Sequence, residues 1–135
     1  MISYIDSAAA ITPEQLNGFF HHWMNQPAPD ALLRMLRGST HVVLAVDDAT
    51  TRVEGYITAI SDGVSCAYIP HLEVREGLHG QGIGSELVRR MLEQLRQLYM
   101  IDLMCDPDVQ PFYARLGFRH STGMVIRNYD RQQCD

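Results

Sequence analysis

The chain has 135 residues, of which 46% are hydrophobic and 20% charged, and its formal net charge is −5; this suits one domain, residues 1–135, with one substantial core. The charge argues against a nucleic-acid partner, because there is no excess of cations to neutralise phosphates. No apolar run approaches the length of a membrane span and the first residues lack the pattern of a secretory signal, so we expect a cytoplasmic protein without a membrane partner.

The three cysteines argue against two further classes of protein. Cys66, Cys105 and Cys134 are odd in number, widely separated and without a C-x-x-C unit. This pattern supports neither a disulfide framework nor a zinc site. The histidines also lack the spacing of metal ligands, so no metal is predicted.

The first predicted elements are a short strand over Ile2–Asp6 and a helix. Thr12 is suited to the N-cap of this helix and Pro13 to its first turn, while Gln15 can close a capping box. Apolar side chains at helical spacing extend the helix to Met24 and are expected to pack in the core. These side chains are Leu16, Phe19, Phe20, Trp23 and Met24.

A second helix and three strands are predicted next. Asp30 can cap the helix, which ends before Gly38. The strands cover His41–Val46, Val53–Ile60 and Ser65–Val74, and they follow one another through polar turns.

Pro70 lies inside the last of these strands. A proline cannot donate a hydrogen bond to the ladder of a sheet. We therefore expect this strand to be bulged or to part from its neighbour, and an edge position in the sheet stays open as the alternative.

A glycine-rich loop follows and is the most specific chemical signal in the chain. The run Gly80-Gln81-Gly82-Ile83-Gly84 lies between that strand and a predicted helix over Ser85–Leu98. Glycines let backbone N–H groups approach a ligand, and a helix N-terminus attracts negative charge, so a phosphate or pyrophosphate site is predicted. The loop lacks the lysine of a P-loop and the third glycine of a dinucleotide fingerprint, which disfavours a nicotinamide-dependent enzyme.

The last part of the chain is predicted to add two strands and a helix. The strands cover Ile101–Cys105 and Met124–Asn128, with a helix over Asp108–Leu116 between them. Strands that first follow one another and then alternate with helices predict a mixed α/β sheet rather than a pure Rossmann domain.

Two segments resemble motifs of the GCN5-related N-acetyltransferase (GNAT) superfamily. The run from His79 to Gly84 is similar to its Q/R-x-x-G-x-G/A signature, with His79 in place of Gln or Arg. Pro111–Phe118 resembles the "FYxxxGF" stretch near the C-terminal end of many members. The resemblance implies the GNAT fold: a central mixed, largely antiparallel sheet, splayed between its fourth and fifth strands and flanked by helices.

The resemblance also implies acetyl-CoA as cosubstrate and a primary amine of a small molecule or protein as acceptor. Backbone groups of Leu72 and Val74 would pair with the pantetheine arm, and a backbone N–H there could polarise the thioester carbonyl. His79 would either hydrogen-bond a phosphate or serve only as a loop residue. The other residues expected to bind the cosubstrate are Gly80, Gln81, Gly82, Ile83, Gly84, Ser85 and Phe112.

The transfer needs a proton donor for the leaving thiolate and a base for the protonated amine. Tyr113 matches the tyrosine of the family stretch and is the expected donor. For the base, Glu73 on the splayed strand and His71 on the same face are the candidates, directly or through water. Asp102 and Asp106 bracket the end of the next strand and could instead bind a cationic substrate.

Other functions and assemblies stay open beside this one. A GNAT-fold module that binds acyl-CoA without turnover is the alternative to an enzyme. A homodimer is kept beside a monomer. The acceptor amine is not encoded in any recognisable motif.

Overall fold

A computed structural model describes all residues, 1–135, and contains six strands and three α-helices. The strands are β1 (Ile2–Ile5), β2 (His41–Asp47), β3 (Val53–Ser61), β4 (Cys66–Ile69), β5 (Leu72–Val74) and β6 (Met100–Leu103). The helices are α1 (Pro29–Gly38), α2 (Ile83–Gln94) and α3 (Gln110–Ala114), and single 3₁₀ turns cover Pro13–Leu16, Pro107–Val109 and Tyr129–Arg131. None of the helices has both the length and the apolar character that crossing a bilayer requires.

The strands form one mixed sheet, as predicted. Its order is β1-β2-β3-β4-β6, and β5 also pairs with β3. Every pairing is antiparallel except that of β4 with β6, which is parallel. Helices flank this sheet, so the expected mixed, largely antiparallel fold is confirmed.

The fourth predicted strand is broken into β4 and β5 around Pro70. Tyr68 pairs with Ile60, whereas Leu72 pairs with Ile57, so the β4–β5 side holds one more residue than β3 over this stretch. This is a β-bulge, the first of the two forms that Pro70 suggested. β6 pairs with β4 and not with β5, so the sheet opens beyond the bulge and one edge of β5 is free.

Hydrophobic side chains cover both faces of the sheet. On one face, Leu32 and Leu36 of α1 pack near Tyr56 of β3. On the other, Leu87 and Met91 of α2 belong to a second cluster that includes Ile57, the next residue of β3. Burying such a side chain is worth about 1.5–3 kcal/mol, so both helices are held by their apolar faces, and β5 lies between the two layers.

The predicted helix from Thr12 to Met24 is wrong beyond its first turn. A 3₁₀ turn ends at Leu16, and Gly18 (φ +94°) and Phe20 (φ +63°) then take left-handed backbone conformations. The carbonyl of Asn17 accepts a hydrogen bond from Arg75, and the N–H of Phe20 donates to a distant side chain instead of to a helical neighbour. Tertiary contacts therefore override the helical periodicity. A smaller difference is that Asp30 lies in the first turn of α1, with Ala28 at the cap.

The prediction of a last strand over Met124–Asn128 is also wrong, since the structure has no strand after β6. Residues 119–128 belong to no helix and no sheet, and none of their N–H groups donates a hydrogen bond within the chain. A strand needs a neighbouring strand to satisfy its backbone, whatever its side-chain pattern. Within one chain this segment has none.

Candidate active site

The glycine loop ends in a set of unpaired backbone donors. Gly82 is the N-cap of α2 at φ +85°, and Glu86 is the first residue whose N–H bonds back, to the Gly82 carbonyl at 3.0 Å. The N–H groups of Ile83, Gly84 and Ser85 therefore have no acceptor within the chain. Three aligned donors at the positive end of a helix dipole can bind an anion.

The space in front of this loop is open. A β-carbon placed on Gly80 or Gly82 would meet no atom within 4 Å. At Gly84 it would lie 3.5 Å from Phe112 of α3 and 3.6 Å from Val74 of β5. The structure thus brings together three of the segments predicted to bind the cosubstrate.

His79 is tied to the protein itself. Its Nε2 lies 2.9 Å from the carbonyl oxygen of Val74, at the end of β5, and donates a hydrogen bond to it. Neither of the two roles considered for His79, a phosphate ligand or a residue that only occupies the loop, included this bond to β5.

The free edge of β5 presents backbone groups to the gap in the sheet. Thr58 donates to the carbonyl of His71 at 3.1 Å, and Arg75 donates to the carbonyl of Glu54 at 2.8 Å, so both residues flanking β5 bond to β3. The N–H and C=O groups of successive residues in a strand point to opposite sides, so the peptide groups of Leu72 and Val74 point away from β3. Their side chains pack with the α2 cluster.

Glu73 points to the opposite face, toward α1. Its carboxylate accepts the N–H of Phe20 at 2.9 Å and the hydroxyl of Tyr56 at 3.2 Å. Burial, and then the charge of Glu73, raise the pKa of Tyr56 far above its ordinary value, so this hydroxyl stays protonated and donates. The carboxylate is thereby held in one orientation while 22% of its side chain remains exposed.

His71 lies on the same face as Glu73. Its ring centroid is 5.8 Å from that of Phe20 and 6.2 Å from that of Trp23. Burial lowers the pKa of His71, so its ring is neutral at neutral pH. The structure thus places both candidate bases on one face, whereas Asp102 and Asp106 are exposed on and after β6.

His21 and Tyr56 are site residues that the sequence did not indicate. Nε2 of His21 is 3.0 Å from Oε2 of Glu76, and its Nδ1 is 4.0 Å from Oε2 of Glu73. On the predicted helix, His21 would have had a different direction. Gly18 is a sequence signal against the predicted helix, because a glycine inside a helical pattern weakens the prediction of a helix.

Arg75 fastens the segment before His21 to the sheet. Its guanidinium forms a 3.0 Å ion pair with the buried Glu54, donates to the carbonyls of Val53 (2.6 Å) and Asn17, and lies 4.7 Å from the ring centroid of Phe19. A guanidinium has enough donors for all of these acceptors. The loop that delivers the Phe20 N–H is therefore positioned by one arginine.

Tyr113 lies on α3, on the α2 side of the sheet. Together with Tyr68, Cys105 and residues 118–124 it lines a cavity of about 650 Å³. Burial, assisted by Cys105, raises the pKa of Tyr113 to about 12. Its hydroxyl makes no hydrogen bond within the chain and is protonated at neutral pH, so it can donate to a ligand.

The chain is similar to proteins described as acetyltransferases, both in sequence and in structure. Residues 7–129 match the family model of the acetyltransferase (GNAT) domain. The crystal structure of a candidate acetyltransferase from Deinococcus radiodurans R1 has a TM-score of 0.94 and 45% sequence identity to this chain, and the match covers 98% of this chain and 92% of that one.

Two curated relatives match less of their own length. The chain is 29% identical over 99 residues to an uncharacterized N-acetyltransferase of Porphyra purpurea, and 31% identical over 90 residues to glucosamine 6-phosphate N-acetyltransferase 1 of Oryza sativa subsp. japonica. These stretches cover 71% and 60% of this chain. They span 57% and 54% of the relatives, little more than half of each.

Proposed function

Because the chain belongs to the GNAT acetyltransferase family, we propose that it is an enzyme that transfers the acetyl group of acetyl-CoA to a primary amine. One observation carries this proposal. Within β5, Leu72 and Val74 face the glycine loop and α2, while Glu73 faces the opposite side. A thioester and an amine can therefore approach the same short strand from its two sides.

The donor side fits a nucleotide thioester. Acetyl-CoA supplies an acetyl group activated as a thioester. The N–H groups of Ile83, Gly84 and Ser85 would hold its pyrophosphate. The peptide groups of Leu72 and the N–H of Val74, whose carbonyl is occupied by His79, would bind its pantetheine arm as an added strand. A backbone N–H of the same edge would polarise the thioester carbonyl.

The acceptor side offers a fixed carboxylate. An ammonium group has no free electron pair, so a base must remove one proton before the nitrogen can attack. Glu73 takes this proton, held toward the acceptor by Phe20 and Tyr56. His71, neutral and on the same face, is the second candidate for this step.

Tyr113 is the proton donor for the leaving thiolate. Its protonated hydroxyl lines the cavity on the side of the sheet where the thioester binds, and it gives its proton to the departing sulfur. The nitrogen bonded to the acetyl carbon still carries one surplus proton, and as the C–S bond breaks this proton passes through water to the tyrosine oxygen and restores the hydroxyl. One side chain thus removes a proton and another donates one.

One observation favours the alternative, a module that binds acyl-CoA without turnover. Both oxygens of Glu73 already accept hydrogen bonds from the chain. A carboxylate used in this way can serve only to hold the loop of Phe20 against β5.

Turnover of acetyl-CoA distinguishes the two functions. Thiol release should be observed with at least one amine of a panel. The panel should include glucosamine 6-phosphate, the amine for which the rice relative is named. Glu73→Gln should lower kcat about 10²-fold. Glu76→Gln removes a charge close by, from a side chain that is 72% exposed, and should change kcat little.

The binding half of the proposal has a separate measurement. CoA should raise the melting temperature clearly more than NAD or ATP do, because the glycine spacing suits only the first. Stabilisation by CoA without thiol release from any amine would favour the binding module. Equal stabilisation by NAD, or none by CoA, would contradict both functions.

A further inference from the structure

The side chain of His79 fastens the glycine loop to the end of β5. The loop, residues 76–82, lies between β5 and α2. Nε2 of His79 is 2.9 Å from the carbonyl oxygen of Val74, the last residue of β5. A carbonyl oxygen can only accept a hydrogen bond, so Nε2 carries a proton and is the donor. The bond closes the first part of the loop against the strand.

Few other bonds hold this loop. Leu78 donates to the carbonyl of Arg75 at 3.1 Å, and its side chain packs with the α2 cluster. No backbone N–H from residue 79 to residue 85 donates a hydrogen bond within the chain. The side chain of His79 therefore makes the only hydrogen bond between residues 79–81 and the rest of the protein.

The backbone of the loop does not hold its own shape. Gly77, Gly80 and Gly82 have φ angles of +91°, +81° and +85°. A glycine reaches this region easily, but it reaches many other conformations as easily. A β-carbon placed on any of the three would meet no atom within 4 Å, so their surroundings do not confine them. The position of the unbonded N–H groups therefore depends on the tether that His79 provides.

The same bond ends the free edge of β5. The peptide groups of Leu72 and Val74 point away from β3, toward the gap in the sheet. His79 occupies the carbonyl of Val74, which leaves the two peptide groups of Leu72 and the N–H of Val74. An extended ligand that pairs with this edge therefore has its last partner at the N–H of Val74, next to the start of the loop.

We propose that His79 is a positioning residue for acetyl-CoA, an inference that rests on the proposed function. Its side chain ends the strand-like pairing of the pantetheine arm at the N–H of Val74 and fixes the anion-binding loop at that point. The arm and the pyrophosphate are covalently joined, so both bind at once only when their two subsites are correctly spaced. A loop held in place beforehand does not have to be ordered when the ligand binds.

Calorimetry with CoA tests the tether. His79→Leu keeps an apolar side chain but loses the donor, and it should weaken CoA binding about tenfold. His79→Gln retains an N–H group that can reach the same carbonyl and should recover most of the affinity. His79 is exposed, so neither change should unfold the protein, and the melting temperature without CoA should stay close to that of the wild type.

Pantetheine distinguishes a positioning role from general damage to the site. It contains the arm that pairs with β5 and lacks the pyrophosphate. Its dissociation constant, measured by NMR titration, should be nearly the same for the wild type and His79→Leu. With acetyl-CoA as substrate, KM should rise while kcat stays near the wild-type value, because a residue that acts only on binding leaves the chemical step unchanged.

Failure of the tether and failure of the proposed function give different results. A wild-type protein that does not bind CoA would contradict both. If CoA binds the wild type and His79→Leu equally well, the proposed function stands and the positioning role of His79 is wrong. An equal loss of affinity for CoA and for pantetheine would also overturn the tether, because it would show damage to β5, and so would an equal loss in His79→Leu and His79→Gln.

Discussion

At the scale of single residues, the two side chains that we propose as base and acid, Glu73 and Tyr113, have different surroundings. Glu73 is surrounded by hydrogen-bond donors, which suit a carboxylate. Tyr113 is buried, and burial favours its neutral form.

Tyr113→Phe should lower kcat about 10²-fold, because the variant retains the ring and loses only the proton donor. The Michaelis constant for acetyl-CoA should change little. With its pKa raised to about 12, the tyrosine keeps its proton below that pH, so its ionisation should not reduce the wild-type rate between pH 7 and 10. Thiol-release kinetics measure both quantities.

Tyr68→Phe is the matched control, since Tyr68 lines the same cavity. It should retain nearly the wild-type kcat. If Tyr113→Phe also retains it while chemistry is rate-limiting, Tyr113 has a packing role and the thiolate takes its proton from water.

Local motifs predicted only part of this site. The glycine loop and Tyr113 lie in short runs that can be recognised without the rest of the chain. The bonds from Phe20 and Tyr56 to Glu73 join residues that are 53 and 17 positions apart. Such contacts depend on how the loop packs, which no local pattern contains.

At the scale of elements, the predictions hold where local and tertiary preferences agree. The apolar face of α2 predicts a helix, and its packing against the sheet retains that helix. The segment from Leu16 to Met24 has the same periodicity but contains Gly18, and Arg75 and Glu73 bind its backbone groups. The Met124–Asn128 segment has a strand pattern without a neighbour in its own chain.

The N-terminus of α2 provides a prediction in which stability and binding change in opposite directions. Ser85→Asp adds a negative charge to the first turn and should stabilise the helix by about 0.3–1 kcal/mol. The same charge should repel a pyrophosphate and weaken CoA binding about tenfold or more, near 1.4 kcal/mol. Urea unfolding and calorimetry measure the two effects.

Ser85→Asn has a similar size without the charge and should change CoA affinity much less. Weaker binding of both variants, accompanied by lower stability, would indicate damage to the loop and not repulsion. If Ser85→Asp binds CoA with unchanged affinity, the pyrophosphate does not bind at the N-terminus of α2.

At the scale of the whole molecule, one buried ion pair joins the N-terminal loop to the sheet. Glu54 of β3 is almost fully buried and pairs with Arg75 just after β5 and with Arg52 just before β3. Arg75 also holds Asn17, so the two layers around β5 depend on it.

Arg75→Met should lower the free energy of unfolding by about 3–5 kcal/mol, because it leaves a buried carboxylate without its buried partner. Arg52→Met is the matched control. Arg52 pairs with the same carboxylate but its side chain is half exposed, and we expect a loss of about 1 kcal/mol or less. Urea denaturation compares the two, and equal losses would contradict this account of the loop.

The extra residue at the bulge shifts the register of β5 against β3 by one position. Side chains alternate between two faces of a strand, so an offset of one exchanges the faces of every later residue. If the register of Tyr68 with Ile60 continued unbroken, Glu73 would lie opposite Gly55, on the face packed against α2. The offset places it opposite Tyr56 instead. The face of the sheet on which the Glu73 carboxylate lies is thus set by the one extra residue at the bulge beside Pro70.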